Sequence, residues 1–201
     1  MLLDEYPKVI NLRDGSKVIM RPALKEDEEA LYQFFKGLSK EDRLYLRDDV
    51  ANREIIHGWM ENLDYDKVLP ILAVDGDTVV ADATLHRNPN GWMRHVGEIR
   101  MSVAGSHRGR GLARIIAAEI FQQAIGYGLD KLVAEILTIQ KNARRVFTRL
   151  GFQEEAVLKD QGMDVDGKKH DLIIMSNDVT TLWEKWTEFA DSVSGTRHMD
   201  G

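Results

Sequence analysis

Three glycines and two arginines crowd one short stretch of the chain: Gly105, Arg108, Gly109, Arg110 and Gly111. Ahead of them, Val96 to Val103 has the apolar and β-branched content of a buried strand. Behind them Ile116, Ile120 and Ala124 recur every fourth residue with Ile115 and Phe121 alongside, the inner stripe of a helix, which turns Glu119, Gln122 and Gln123 outward. A strand that passes through a glycine-rich turn into a helix leaves the first helical N–H groups unpaired. Those donors and the positive end of the helix dipole make an anion site. Glycine lets a diphosphate approach the main chain, and arginine adds charge. The chemistry predicted here is the binding of a phosphate-bearing cofactor.

The order of residues in the loop decides which cofactor. An ATPase loop needs Lys-Ser or Lys-Thr after its glycines, and none follows. A dinucleotide loop needs a third glycine where Arg114 stands. Arg108-x-x-Gly111-x-Ala113 instead resembles the [QR]xxGx[GA] acyl-CoA loop of the GNAT superfamily of N-acyltransferases. Leu150-Gly151-Phe152, after a further strand and helix, resembles another mark of that family. So does the N-terminal run LRDGSKVIMRP with the helix behind it, as in bacterial protein-lysine and small-amine acetyltransferases. The resemblance covers roughly Leu12 to Asn177.

What the resemblance implies is an α/β GNAT fold: a twisted, mixed, mostly antiparallel sheet of six to seven strands with helices on both faces. Acetyl-CoA would be the cosubstrate. Arg108, Gly109, Arg110, Gly111, Leu112, Ala113 and Arg114 would hold its diphosphate, and main-chain groups of Met101, Ser102 and Val103 its pantetheine arm and thioester carbonyl. Gln140 falls where the family has an asparagine, with Asn142 as the nearby alternative. Glu98 stands where some members carry a catalytic glutamate; a carboxylate in an apolar strand calls for a partner or a task, here to collect the proton of the attacking amine. Phe147 departs from the pattern. It takes the place of the tyrosine that protonates the leaving thiolate in many members, and it has no proton to give, so it is assigned to packing against pantetheine.

Composition narrows the alternatives. The 201 residues carry a net charge of −6, which disfavours a general nucleic-acid binder and mildly favours a cationic amine as acceptor. The chain has no cysteine, which excludes disulfides, thiolate metal sites and a cysteinyl acyl intermediate, so in an acyltransferase the amine attacks the thioester directly unless Ser or Lys carries the acyl group. The histidines show no paired metal spacing, and no metal is expected. No apolar run approaches the roughly 18 residues of a membrane span, and the acidic start MLLDEYPKV does not read as a signal peptide. A cytoplasmic protein is the expectation, with neither membrane nor nucleic acid as partner.

The remaining elements position this centre. Val9 to Leu12 and Val18 to Arg21 flank the turn Asp14-Gly15, and Lys25 to Leu38 and Asn52 to Leu63 read as helices, with a capped turn at Ser39 between them. Leu69 to Val74 and Thr78 to His86 make a second hairpin. Lys131 to Thr138 is a strand, Asn142 to Leu150 a helix, and Gln153 to Leu158 with His170 to Ser176 a last hairpin. Lys141, Arg144, Arg145 and Arg149 form a basic face, one of them a candidate for the CoA 3′-phosphate. Residues 1–178 are assigned to the catalytic domain and 192–201 to a flexible tail. Between them, residues 179–191 form an amphipathic helix that packs on the domain or on a second copy in a homodimer. The acceptor amine stands on a small molecule or on a protein. The rival reading is a non-catalytic acyl-CoA-binding regulatory module, with Phe147 in its favour and Glu98 against it.

Overall fold

The structure, a computed structural model, describes residues 2–44, 46–164 and 167–179. The expected C-terminal helix and tail lie outside these residues, apart from Val179. In chain order the elements are β1 (Lys8–Asn11), β2 (Lys17–Pro22), α1 (Glu28–Gly37), α2 (Lys40–Leu44), α3 (Arg53–Glu61), β3 (Val68–Asp75), β4 (Thr78–Arg87), β5 (Val96–Val103), α4 (Leu112–Gly126), β6 (Lys131–Leu137), α5 (Lys141–Arg149), β7 (Gln153–Met163) and β8 (Lys169–Asp178).

The strands form one sheet of eight in the order β1-β2-β3-β4-β5-β6-β8-β7, the expected mixed α/β architecture with a strand more than the expected six to seven. Every neighbouring pair is antiparallel except β5 and β6. Those two are joined by α4, the crossover that a parallel pair requires. Their pairing is brief: Val96↔Lys131, Gly97↔Leu132 and Glu98↔Val133, after which the strands part. From Ile99 on, β5 stays paired with β4 alone, while β6 stays paired with β8 as far as Leu137.

Two cores sandwich the sheet. On one face Ile116, Ile120 and Phe121 of α4 and Phe147 of α5 pack on Leu69, Ile71, Leu85, Ile99, Leu132 and Ile136. On the other, Leu31, Phe34 and Phe35 of α1 and Ile56 and Met60 of α3 pack on Leu72, Val74 and Val79. Burying each such side chain stabilises the fold by roughly 1.5–3 kcal/mol. The helix starts follow their sequence signals: the Ser39 hydroxyl accepts the Asp42 N–H at 3.0 Å, and the Asn52 side chain accepts that of Glu54 at 3.0 Å.

Two local expectations need correction. Glu119 and Gln123 are buried, not outward, because Tyr6 and Lys8 of the N-terminal segment lie over that side of α4. β7 runs past Leu158 to Met163, its register shifting between Leu158 and Gly162, where Asp160 takes a φ of 55°. No helix among the described residues is long and apolar enough to cross a membrane.

Candidate active site

The loop from Gly105 to Gly111 leaves β5 through a short 3-10 turn (Gly105–His107) and enters α4 at Gly111. Gly109 has a φ of 77° and Gly111 a φ of 90°, a left-handed backbone that side chains resist. Gly111 is constrained twice over, since an added Cβ would lie 3.2 Å from Arg13 Nε. The β1–β2 turn is docked there by the Arg13 N–H, which donates to the Arg110 carbonyl at 3.1 Å. The first helical bonds run from the Arg114 and Ile115 N–H groups to Gly111 O, at 3.1 and 3.2 Å. The N–H groups of Leu112 and Ala113 therefore lack an intrahelical acceptor. The loop arginines are held in place: Arg108 donates to Val103 O at 3.1 Å and pairs with Asp42 at 2.9 Å, and Arg110 pairs with Asp14 at 3.1 Å.

Beside this loop lies the gap between β5 and β6. Ala104 donates its N–H to Val80 O in register with the β4–β5 ladder. Alternation along an antiparallel pair then commits the main chain of Ser102 and Arg100 to β4 and turns that of Met101 and Val103 toward the gap. The three residues named on the strand are thus unequal. Two can offer an N–H to a ligand in the gap, and Ser102 instead lies on the sheet face that carries Asp82, Thr84, His86, Glu98 and Arg100.

Glu98 sits at the last paired position before the strands part. Arg100 grips its carboxylate with two bonds, at 2.8 and 3.1 Å, and Arg47 Nη2 lies 2.9 Å from its Oε1. Burial pushes this carboxyl up, but Arg100 and then Arg47 outweigh burial and hold it below its ordinary value. Glu98 is an anion at neutral pH and, so gripped, a poor proton acceptor. Its cross-strand partner His86 contacts the Thr84 hydroxyl at 2.9 Å. Burial and then the Arg100 charge lower His86 to about 4, so its ring is neutral at pH 7. Arg47 also pairs with Glu135 on β6.

The other predicted residues frame the gap. The Gln140 side-chain oxygen accepts the Leu137 N–H at 2.7 Å and so closes the turn from β6 into α5, while Asn142 is exposed on the first turn of α5. Phe147 is buried edge-on against Phe152, ring centroids 5.0 Å apart, and packs in the core. Lys141, Arg144, Arg145 and Arg149 line a groove of about 460 Å³ with Thr138 and Thr148. Arg13, Arg47, His86 and Glu135 were not singled out from the sequence. Only His86 and Glu135 left a trace there, as polar residues alternating with apolar ones along a strand. Arg13 and Arg47 arrive from distant segments. Among the described residues no group of three or more His, Asp or Glu side chains could hold a metal ion.

The family model described as "Acetyltransferase (GNAT) family" matches residues 27–152. N-acetyltransferase 8F1 of Rattus norvegicus is 29% identical over 68 residues, 34% of this chain and 31% of that protein, so the match spans about a third of the relative. Among solved structures, the GNAT domain of S. lividans PAT superposes with a TM-score of 0.72 at 22% identity, covering 86% of this chain and 96% of that one. Ribosomal-protein-alanine N-acetyltransferase from Brucella melitensis gives 0.69 at 27% identity, over 79% and 98%. yncA from Salmonella typhimurium, solved with its cofactor acetyl-CoA, gives 0.69 at 20% identity, over 82% and 95%. The family match covers more than half of the chain, across the gap, its loop and the Gly151-Phe152 pair, and the chain belongs to the GNAT acetyltransferase family.

Proposed function

We propose that this protein is an N-acetyltransferase that passes an acetyl group from acetyl-CoA to a primary amine by direct attack. The observation that carries the reading is the parting of β5 from β6 beside a helix start with uncommitted N–H groups. The Salmonella relative holds acetyl-CoA and the Brucella relative is named for an alanine acceptor, which supports the same pair of substrates here. Acetyl-CoA supplies an activated thioester carbonyl. The Leu112 and Ala113 N–H groups and the arginines of the loop hold the diphosphate, and Gly109 and Gly111 let it lie against the main chain. Met101 and Val103 offer N–H groups to the carbonyl side of the ligand; one such donor aimed at a developing oxyanion contributes roughly 3 kcal/mol.

Glu98, once the incoming ammonium takes over one of its two guanidinium contacts, accepts one proton from that ammonium. The attacking nitrogen forms the amide bond as the carbon–sulfur bond breaks, and its second proton leaves with the thiolate as CoA thiol. Phe147 cannot donate that proton, so it reaches the sulfur from the nitrogen or from water. No cysteine is present to carry the acetyl group in between. Glu98→Gln should lower thiol release on accepted amines by about a hundredfold or more and leave acetyl-CoA affinity unchanged. Full turnover in that variant would remove Glu98 from the mechanism. A second reading, an acyl-CoA-binding module without turnover, is favoured by Phe147 alone. Tight acetyl-CoA binding with no thiol release on any of a broad amine panel would select it.

A further inference from the structure

Arg47 reaches Glu98 from outside the sheet. Its Nη2 lies 2.9 Å from Glu98 Oε1, and the same nitrogen bonds Glu135. The two carboxylates flank the point where the strands part: Glu98 is the last paired residue of β5, and Glu135 stands two residues beyond its partner Val133 on β6. Arg100, the other partner of Glu98, stands on β5 itself, two residues along the same strand face, and grips the carboxylate with two bonds. Arg47 lies outside the sheet, between α2 and α3, with 46% of its side chain exposed. It also lines an open groove of about 370 Å³, together with Arg43, Leu46, Asp48, Met163 and Asp164. Arg47 thus stands between that groove and the carboxylates.

Two carboxylates that share one guanidinium nitrogen repel each other once it leaves, and a cation placed between them relieves that repulsion. A guanidinium that leaves is best replaced by another cation, and a primary ammonium brings the same charge with three donors. We propose that the acceptor enters as a primary ammonium that displaces the Arg47 guanidinium from between Glu98 and Glu135. Arg47 is then a positioning residue that withholds Glu98 until an acceptor arrives, and Glu135 is the second arm of the acceptor site. The inference rests on the acetyl-transfer reading and adds the charge of the acceptor and the residue it displaces. Arg100 and His86 also face Glu98; His86 is neutral, and Arg100 in this scheme keeps its two bonds, so the exchange of cations takes place at Arg47 between Glu98 and Glu135.

The test is a titration of the full chain, saturated with CoA, with ethylammonium chloride. The Glu98 side-chain carboxyl is followed by carbon NMR, with potassium chloride at equal ionic strength as the control. Arg47→Ala should bind ethylammonium about tenfold more tightly than wild type, because the competing internal cation is gone. Adding Glu135→Gln should abolish the gain, and Arg47→Lys should fall between. A merely structural Arg47 would give weaker binding when removed. Equal or weaker binding in both Arg47→Ala and Arg47→Gln, an unmoved Glu98 resonance, or a gain that survives Glu135→Gln overturns the proposal. CoA binding and thiol release from acetyl-CoA are read on the same preparations, so failure of the acetyl-transfer reading shows as absent CoA binding or absent thiol release, whatever the ammonium does.

Discussion

Asp82 lies opposite Ser102 in the β4–β5 register, on the sheet face it shares with His86 and Glu98. Among the described residues it has neither a cation nor a hydrogen-bond donor, and burial raises its carboxyl from 3.8 to about 7. A carboxyl whose folded value exceeds its unfolded one keeps its proton longer in the folded chain. Its contribution to stability is therefore intact below about pH 4 and is lost as pH rises to about 7. The residue keeps a margin of surface, so water shares the cost, and the loss is on the order of 2 kcal/mol, not the ~4 kcal/mol that the full shift implies. Asp82→Asn should consequently melt about 5 °C above wild type at pH 8 and level with it at pH 4. Every other group titrates alike in both proteins, so the difference between the two melting curves isolates Asp82. An equal difference at both pH values would mean that packing, not ionisation, separates them.

The fit between α4 and the N-terminal segment shows how an element's neighbours override its own pattern. Helical spacing correctly identifies the stripe of Ile116, Ile120 and Ala124. It fails for Glu119, which is 5% exposed, because what covers it lies more than a hundred residues away in sequence. The Tyr6 hydroxyl donates to Glu119 at 2.5 Å, and Lys8 pairs with it at 2.9 Å. Gln123 Nε2 donates to both Glu119 and Tyr6 at 3.2 Å. Burial and then the Glu119 carboxylate push the Tyr6 hydroxyl far above its ordinary value, so it stays a donor. Lys8 has an outlet, since Glu5 lies 3.1 Å away and its side chain is 21% exposed. Glu119→Ala should therefore cost about 3 kcal/mol in urea unfolding, the low end of the range for a broken buried pair. Glu119→Gln keeps a partner for Tyr6 and should recover about half of that. A change below about 0.5 kcal/mol, typical of surface positions, would mean that the network only decorates the helix.

Across the whole molecule, what was legible is what repeats locally. Period-two and period-3.6 patterns placed the sheet and helices, and the glycine-rich stretch placed the turn between β5 and α4 that stands beside the gap. What depends on chain segments meeting was not legible: Arg13 over Gly111, Arg47 between Glu98 and Glu135, and the strand register that separates Met101 and Val103 from Ser102. That register makes a prediction at the scale of the sheet. With β6 gone from its side after Glu98, β5 should exchange amide hydrogens unevenly, fast at Met101 and Val103 and slowly at Arg100 and Ser102, whose N–H groups are tied to β4. Acetyl-CoA at a hundredfold excess over its dissociation constant should stabilise the fold by about 2.7 kcal/mol. That gain should slow exchange everywhere by global linkage. Amides tied to the ligand should slow further, so Met101 and Val103 should gain more than Ser102 does. Equal protection of all four amides without ligand would mean that the strands close on one another in solution, leaving no gap for a thioester to enter.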